Sequence, residues 1–130
     1  MSPTPDEFWN AWHTEPALRE LAERWLTQPA GEWMEESVEL YRLIDHDPDR
    51  ALKVIFCAAQ LTAEPLILAN LAAGPLEDFL GRHGEQYLDV FHSLALRERQ
   101  LREVLNGVWR GSMPTRVWHR IEVLRQSAFR

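Results

Sequence analysis

Four side chains within a short stretch carry groups that could do chemistry together: Glu77, Asp78, Arg82 and His83. Carboxylates beside an imidazole can move protons as general acid and base. The same residues also suit helix electrostatics. Glu77 and Asp78 follow Pro75, where first-turn acids stabilise a helix, and Arg82 and His83 fall where a helix ending at 81–84 would favour cations. Glu77 or Asp78 can pair with Arg82 about one turn on. A hydrolase built on Glu77, Asp78 and His83 requires these groups to converge in a concave pocket. The structural alternative requires only a helix.

Asp45, His46, Asp47 and Asp49 form a second group. Carboxylate oxygens suit a hard cation, and imidazole suits a transition metal. The spacing matches no ligand pattern, whereas Asp47-Pro48-Asp49 reads as a helix start, with Asp47 at the N-cap and Pro48 at the first helical position. His13, His46, His83, His92 and His119 contain no close pair at ligand spacing. The single cysteine, Cys57, excludes an internal disulfide and a thiolate zinc cluster, and its apolar flanks predict a buried, inert thiol. The sequence has neither a serine in a nucleophile elbow nor a Gly-rich phosphate loop. No catalytic residue, metal or cofactor is therefore expected.

Charge is more informative. Glu32, Glu35, Glu36 and Glu39 recur at helical spacing and share one face of a helix predicted over 32–45. With Asp45, Asp47 and Asp49 they give residues 32–49 seven acids against one base, Arg42. The whole chain carries a net charge of -6; residues 1–65 hold 13 acids and 5 bases, and residues 66–130 hold 7 acids and 9 bases. An acidic half repels phosphate backbones, which disfavours nucleic acid, and it steers basic partners. Trp9 and Trp12 lie with Phe8 on a short predicted helix, either as an exposed aromatic anchor or packed onto the bundle.

The elements that must position these residues are helices throughout. At 130 residues the chain is one domain, with 1–3 as a flexible end. Thr4-Pro5-Asp6-Glu7 reads as a capping box for a helix reaching Trp12. Thr14 and Pro16 open the next helix, with Leu18, Leu21, Ala22, Trp25 and Leu26 on one stripe, and residues 28–31 break it. On the helix over 32–45, Val38, Tyr41 and Ile44 oppose the acids. Residues 51–61 are apolar on nearly every side, which marks the central helix. Helices follow over 65–73, ended by Gly74, then 75–80, 85–96 and 97–106. The last begins near Pro114, with Val117, Trp118, Ile121 and Leu124 inward. No stretch alternates long enough for a strand. The expected fold is all-α: a compact bundle of six to nine helices or a short HEAT-like antiparallel stack.

Four strings carry a resemblance: residues 47–52 (Asp-Pro-Asp-Arg-Ala-Leu), residues 71–80 containing Gly74-Pro75-Leu76-Glu77-Asp78, then Arg82-His83-Gly84, then Gly107-Val108-Trp109. Over about residues 37–121 the chain resembles a small bacterial all-helical domain of unknown function. The resemblance implies an all-helical fold and brings no activity or catalytic residues.

These readings lead to a small acidic protein-binding domain. It is expected to be an immunity or inhibitor protein that covers a basic toxin or enzyme, with Glu32, Glu35, Glu36, Glu39, Asp45, Asp47, Asp49, Trp9 and Trp12 in contact. Glu77, Asp78, Arg82 and His83 form a secondary site. A scaffold or peptide-binding module and the hydrolase above are the alternatives. No apolar run reaches the ~18 residues of a membrane span. The first residues have neither a basic stretch nor an apolar core, so no signal peptide is expected and the cytoplasm is the expected compartment.

Overall fold

The computed structural model describes residues 4–27 and 35–127, without the side chains of Trp12, Glu36 and Ser127. The flexible end expected at 1–3 and the acid Glu32 lie outside these residues. Among the described residues there are nine α-helices and no strand: α1 Pro5–Trp9, α2 Ala11–Thr14, α3 Pro16–Thr27, α4 Glu35–His46, α5 Pro48–Leu61, α6 Pro65–Leu71, α7 Glu77–Arg97, α8 Arg99–Val104 and α9 Thr115–Ser127. Proline opens α1, α3, α5 and α6, where its missing N–H costs nothing. Asp47 caps α5 by accepting the Arg50 backbone N–H, and Glu98 caps α8 by accepting that of Gln100. The capping box at Thr4 does not form. Thr4 takes the extended N-cap conformation, but its side chain makes no cap bond. The aromatic helix is cut at Asn10, and Thr14 ends α2 by bonding the Asn10 carbonyl.

The architecture is a bundle around α5. Residues Ala51, Leu52 and Val54 through Ala59 are buried, and α5 packs against α1, α2, α3, α4, α6, α7 and α8. In a helical stack each repeat would touch only its neighbours. A helix apolar on all sides needs partners on all sides, which is why its sequence selects the bundle. Trp25 is in this core as expected. Trp118 is only partly buried and carries Arg125 over its ring, while Val117, Ile121 and Leu124 face inward. On α4 the buried row is Leu40 and Ile44, and Val38, expected inward, is 44% exposed. Val38 lies two positions before Leu40, which puts it on the other side of the helix.

The glycines correct the reading of α7. Gly74 and the run 81–84 were expected to stop helices. Instead, residues Ala72–Leu76 form a π turn that leads directly into α7, and Gly81 and Gly84 lie inside that helix. Pro75 has no N–H for the α ladder, and the wider turn accommodates it. Each glycine admits a neighbour. A Cβ on Gly74 would stand 2.9 Å from the Tyr41 hydroxyl, one on Gly81 2.6 Å from Ser112 Oγ, and one on Gly84 2.8 Å from Val117 Cγ1. Close approach, not helix termination, is their role.

Candidate functional site

α4 and the start of α5 meet α7 along a polar seam that gathers Asp45, Asp49, Asp78, Arg82 and His83. Arg82 pairs with Asp45 on α4 and with Asp78 on its own helix, the latter at 3.4 Å. His83 Nε2 lies 2.7 Å from the Ile44 carbonyl. A carbonyl only accepts, so Nε2 carries the proton and donates. At the far end of the seam the Tyr87 hydroxyl donates to Asp49. Asp47 caps α5 and pairs with Arg50 at 3.0 Å. The continuity of α7 across 81–84 is what aligns Arg82 and His83 against α4 and Tyr87 against the first turn of α5, with Asp78 one turn before Arg82. A break there would have separated them.

Electrostatics fit a structural seam. Burial raises the Asp78 carboxyl above its ordinary range, partly offset by the nearby His83. Burial also raises the Tyr41 hydroxyl, helped by the Asp78 and Glu77 charges. The Tyr87 hydroxyl is pushed far up by burial, then by its bond to Asp49 and the charges of Asp49 and Asp47. Both tyrosines therefore stay neutral donors at physiological pH. The Arg82 pairs are half exposed, so they orient helices more than they stabilise them.

Glu77 belongs to a different neighbourhood. Burial raises its carboxyl above the ordinary range, against the lowering pull of the Trp109 backbone N–H beside it. Trp109 lies in the loop between a 3-10 turn at Leu105–Gly107 and α9. It is 76% exposed, the highest value among the large apolar side chains described. Glu77, Asp78 and His83 thus each engage a different partner: the Trp109 backbone, Arg82 and the Ile44 carbonyl.

The acidic face divides in the same way. Glu35 is exposed on α4, and Glu39 is half exposed with Arg24 at 3.7 Å. Asp45, Asp47 and Asp49 are engaged within the fold. Trp9 is partly buried against Phe56, with ring centroids 5.7 Å apart, and carries Arg97 over its face. Cys57 is buried, and burial pushes its thiol up to about 11, so it is neutral and unreactive. Among the described residues no group of three or more His, Cys, Asp or Glu could hold a metal ion. No described helix is long and apolar enough to cross a membrane.

Trp109 enters the sequence reading only through the Gly-Val-Trp string, and the structure adds its exposure. Its sequence signal was a large aromatic between Gly107 and Gly111, outside any apolar stripe.

No curated protein and no solved structure matches the chain. A family match covers residues 20–129, more than the span read from the sequence strings, and it takes in Trp25 and the whole of α3 after Arg19. The Gly-Pro-Leu-Glu-Asp string and the Gly-Val-Trp string, which the fold brings together at Glu77 and Trp109, both lie inside it. The chain belongs to a family of unknown function, DUF6869.

Proposed function

We propose that this chain is a non-catalytic protein-interaction domain of the inhibitor or immunity type, which covers a toxin or enzyme presenting a basic surface in the cytoplasm. The observation that carries this reading is the solvent side of α4. Leu40 and Ile44 anchor the helix inward, and Glu35 and Glu39, one turn apart, point the other way at its N-terminal end. The acidic first half of the chain extends the field beyond them. The contact is narrower than residues 32–49, because Asp45, Asp47 and Asp49 are engaged in helix docking and capping. Surface acids on α4 contribute little to folding and can accelerate association with a basic partner.

The test is a pull-down from source lysate at low and high salt, followed by association kinetics. Glu35, Glu36 and Glu39 are changed together to Lys. A partner held by the wild type at low salt, released at high salt, and bound at least about tenfold more slowly by the triple variant supports steering through α4. Equal association rates at low salt refute it.

A further inference from the structure

The Trp109 loop holds an indole in water on a backbone that is fixed at nearly every other position. Val108 and Met113, on either side, are buried. Gly107 lies against Ala72, where an added Cβ would stand 3.0 Å from the alanine's own. The Glu77 carboxylate lies beside the Trp109 backbone N–H. Gly111 sits at φ 51°, the left-handed region that favours glycine, and its Cβ position is 3.4 Å from Glu77 Oε1. Ser112 lies over Gly81. Arg110 folds back onto the Met113 carbonyl at 3.3 Å and Thr115 Oγ1 at 2.8 Å. Arg125 reaches the Val108 and Asn106 carbonyls at 3.5 and 3.4 Å.

Two consequences follow. Presenting a large aromatic on a fixed loop removes much of the ordering cost that a contact would otherwise carry. The charges are also sorted. The Arg110 and Arg125 guanidiniums are turned onto carbonyl oxygens of the loop, while the anion beside the loop backbone is the Glu77 carboxylate, whose oxygens keep acceptor capacity. Its raised pKa reflects the same under-solvated setting.

We propose that Trp109 and Glu77 form a docking site for an arginine side chain of a partner protein. The guanidinium stacks on the indole face and donates to the Glu77 carboxylate. Arginine fits better than lysine because its planar fork both stacks on aromatics and matches carboxylate geometry. The site uses neither Glu35 nor Glu39 and does not depend on the steering reading above. It would serve any partner that presents an arginine to this loop.

A single-residue probe tests it without knowledge of the partner. The full chain, labelled with ¹⁵N, is titrated with N-acetyl-arginine methylamide and, separately, with the lysine and leucine analogues. The expected result is a saturable shift of the Trp109 indole N–H and the amides of residues 109–111. Binding should be strongest for arginine and weakened about fivefold or more by E77Q, since a charged acceptor roughly doubles hydrogen-bond strength over a neutral one. E77Q is nearly isosteric and its amide oxygen can still face the Trp109 N–H, so an unmoved Gly111 amide certifies the loop in that variant. W109F should retain partial binding and W109A none. The proposal is overturned if the arginine probe moves nothing at Trp109, if leucine binds as well as arginine, or if E77Q binds the probe like the wild type.

Discussion

The α4–α7 seam and the Trp109 loop divide α7 between them, and they use it in opposite ways. In the seam, groups with the richest chemistry face one another: Asp45 and Asp78 on Arg82, His83 on the Ile44 carbonyl, Asp49 under Tyr87. At the loop, a carboxylate and three glycine contacts hold a side chain with no acid–base chemistry out into solvent. Reactive residue types therefore do not locate a site by themselves. Polar groups at the edge of a helix contact pair with one another, and in a small helical domain the nearest partner is often another helix. An exposed indole on a fixed backbone is not explained by such pairing, so it is the stronger sign of an external contact.

The contrast can be broken in order of effect. α5 is the packed centre of the bundle, and Leu52→Ala should cost roughly 2–5 kcal/mol in denaturant unfolding, because it opens a cavity in a fully enclosed core. A loss below about 0.5 kcal/mol would mean that α5 is not the centre of the core. Gly84→Ala should follow, at about 1–3 kcal/mol, since the new methyl meets Val117, a stiff β-branched side chain held between α7 and α9. Gly81→Ala, on the loop side, should be close to neutral. Its obstacle is the exposed Ser112 hydroxyl, and alanine gains up to about 1 kcal/mol of helix propensity. Equal losses at the two positions would show that the loop and the α7–α9 packing are one rigid unit.

Asp47→Ala should cost about 1 kcal/mol through the lost cap on α5, and it should leave the arginine response at Trp109 unchanged. A change in that response would couple the seam to the loop. Carboxyl titration followed by NMR should place Asp78 and Glu77 above their ordinary midpoints. Their folded pKa values exceed the unfolded ones, so the folded state binds the extra protons. The associated stability is present below the unfolded pKa and is lost as pH rises through the folded pKa. Because both groups are partly exposed, the slope should be shallow. Ordinary midpoints would remove the desolvation assigned to both regions. The smallest effect is expected for Trp109→Ala, within about 0.5 kcal/mol of wild type, as for surface positions generally. A large loss would make the indole a structural contact instead of a presented one.

The features legible in the sequence were local ones. Helical periodicity established the all-α class, the Pro and Asp pairs marked the start of α5, Pro65 that of α6, and the unbroken apolar run at 51–61 marked the core helix. All of these depend on residues within a turn or two of each other. The inert Cys57 was legible for the same reason. The fate of the candidate site was not legible, because it depends on pairs far apart in the chain: His83 finds Ile44 39 positions away, and Tyr87 finds Asp49 38 positions away. Only the packing of the helices made Gly74, Gly81 and Gly84 places of close approach, since a glycine that ends a helix and one that admits a neighbour are identical in sequence. It also selected which acids turn inward and turned Trp109 out, because a side chain's exposure is set by what packs over it, and for a residue between helices no periodicity announces that in advance.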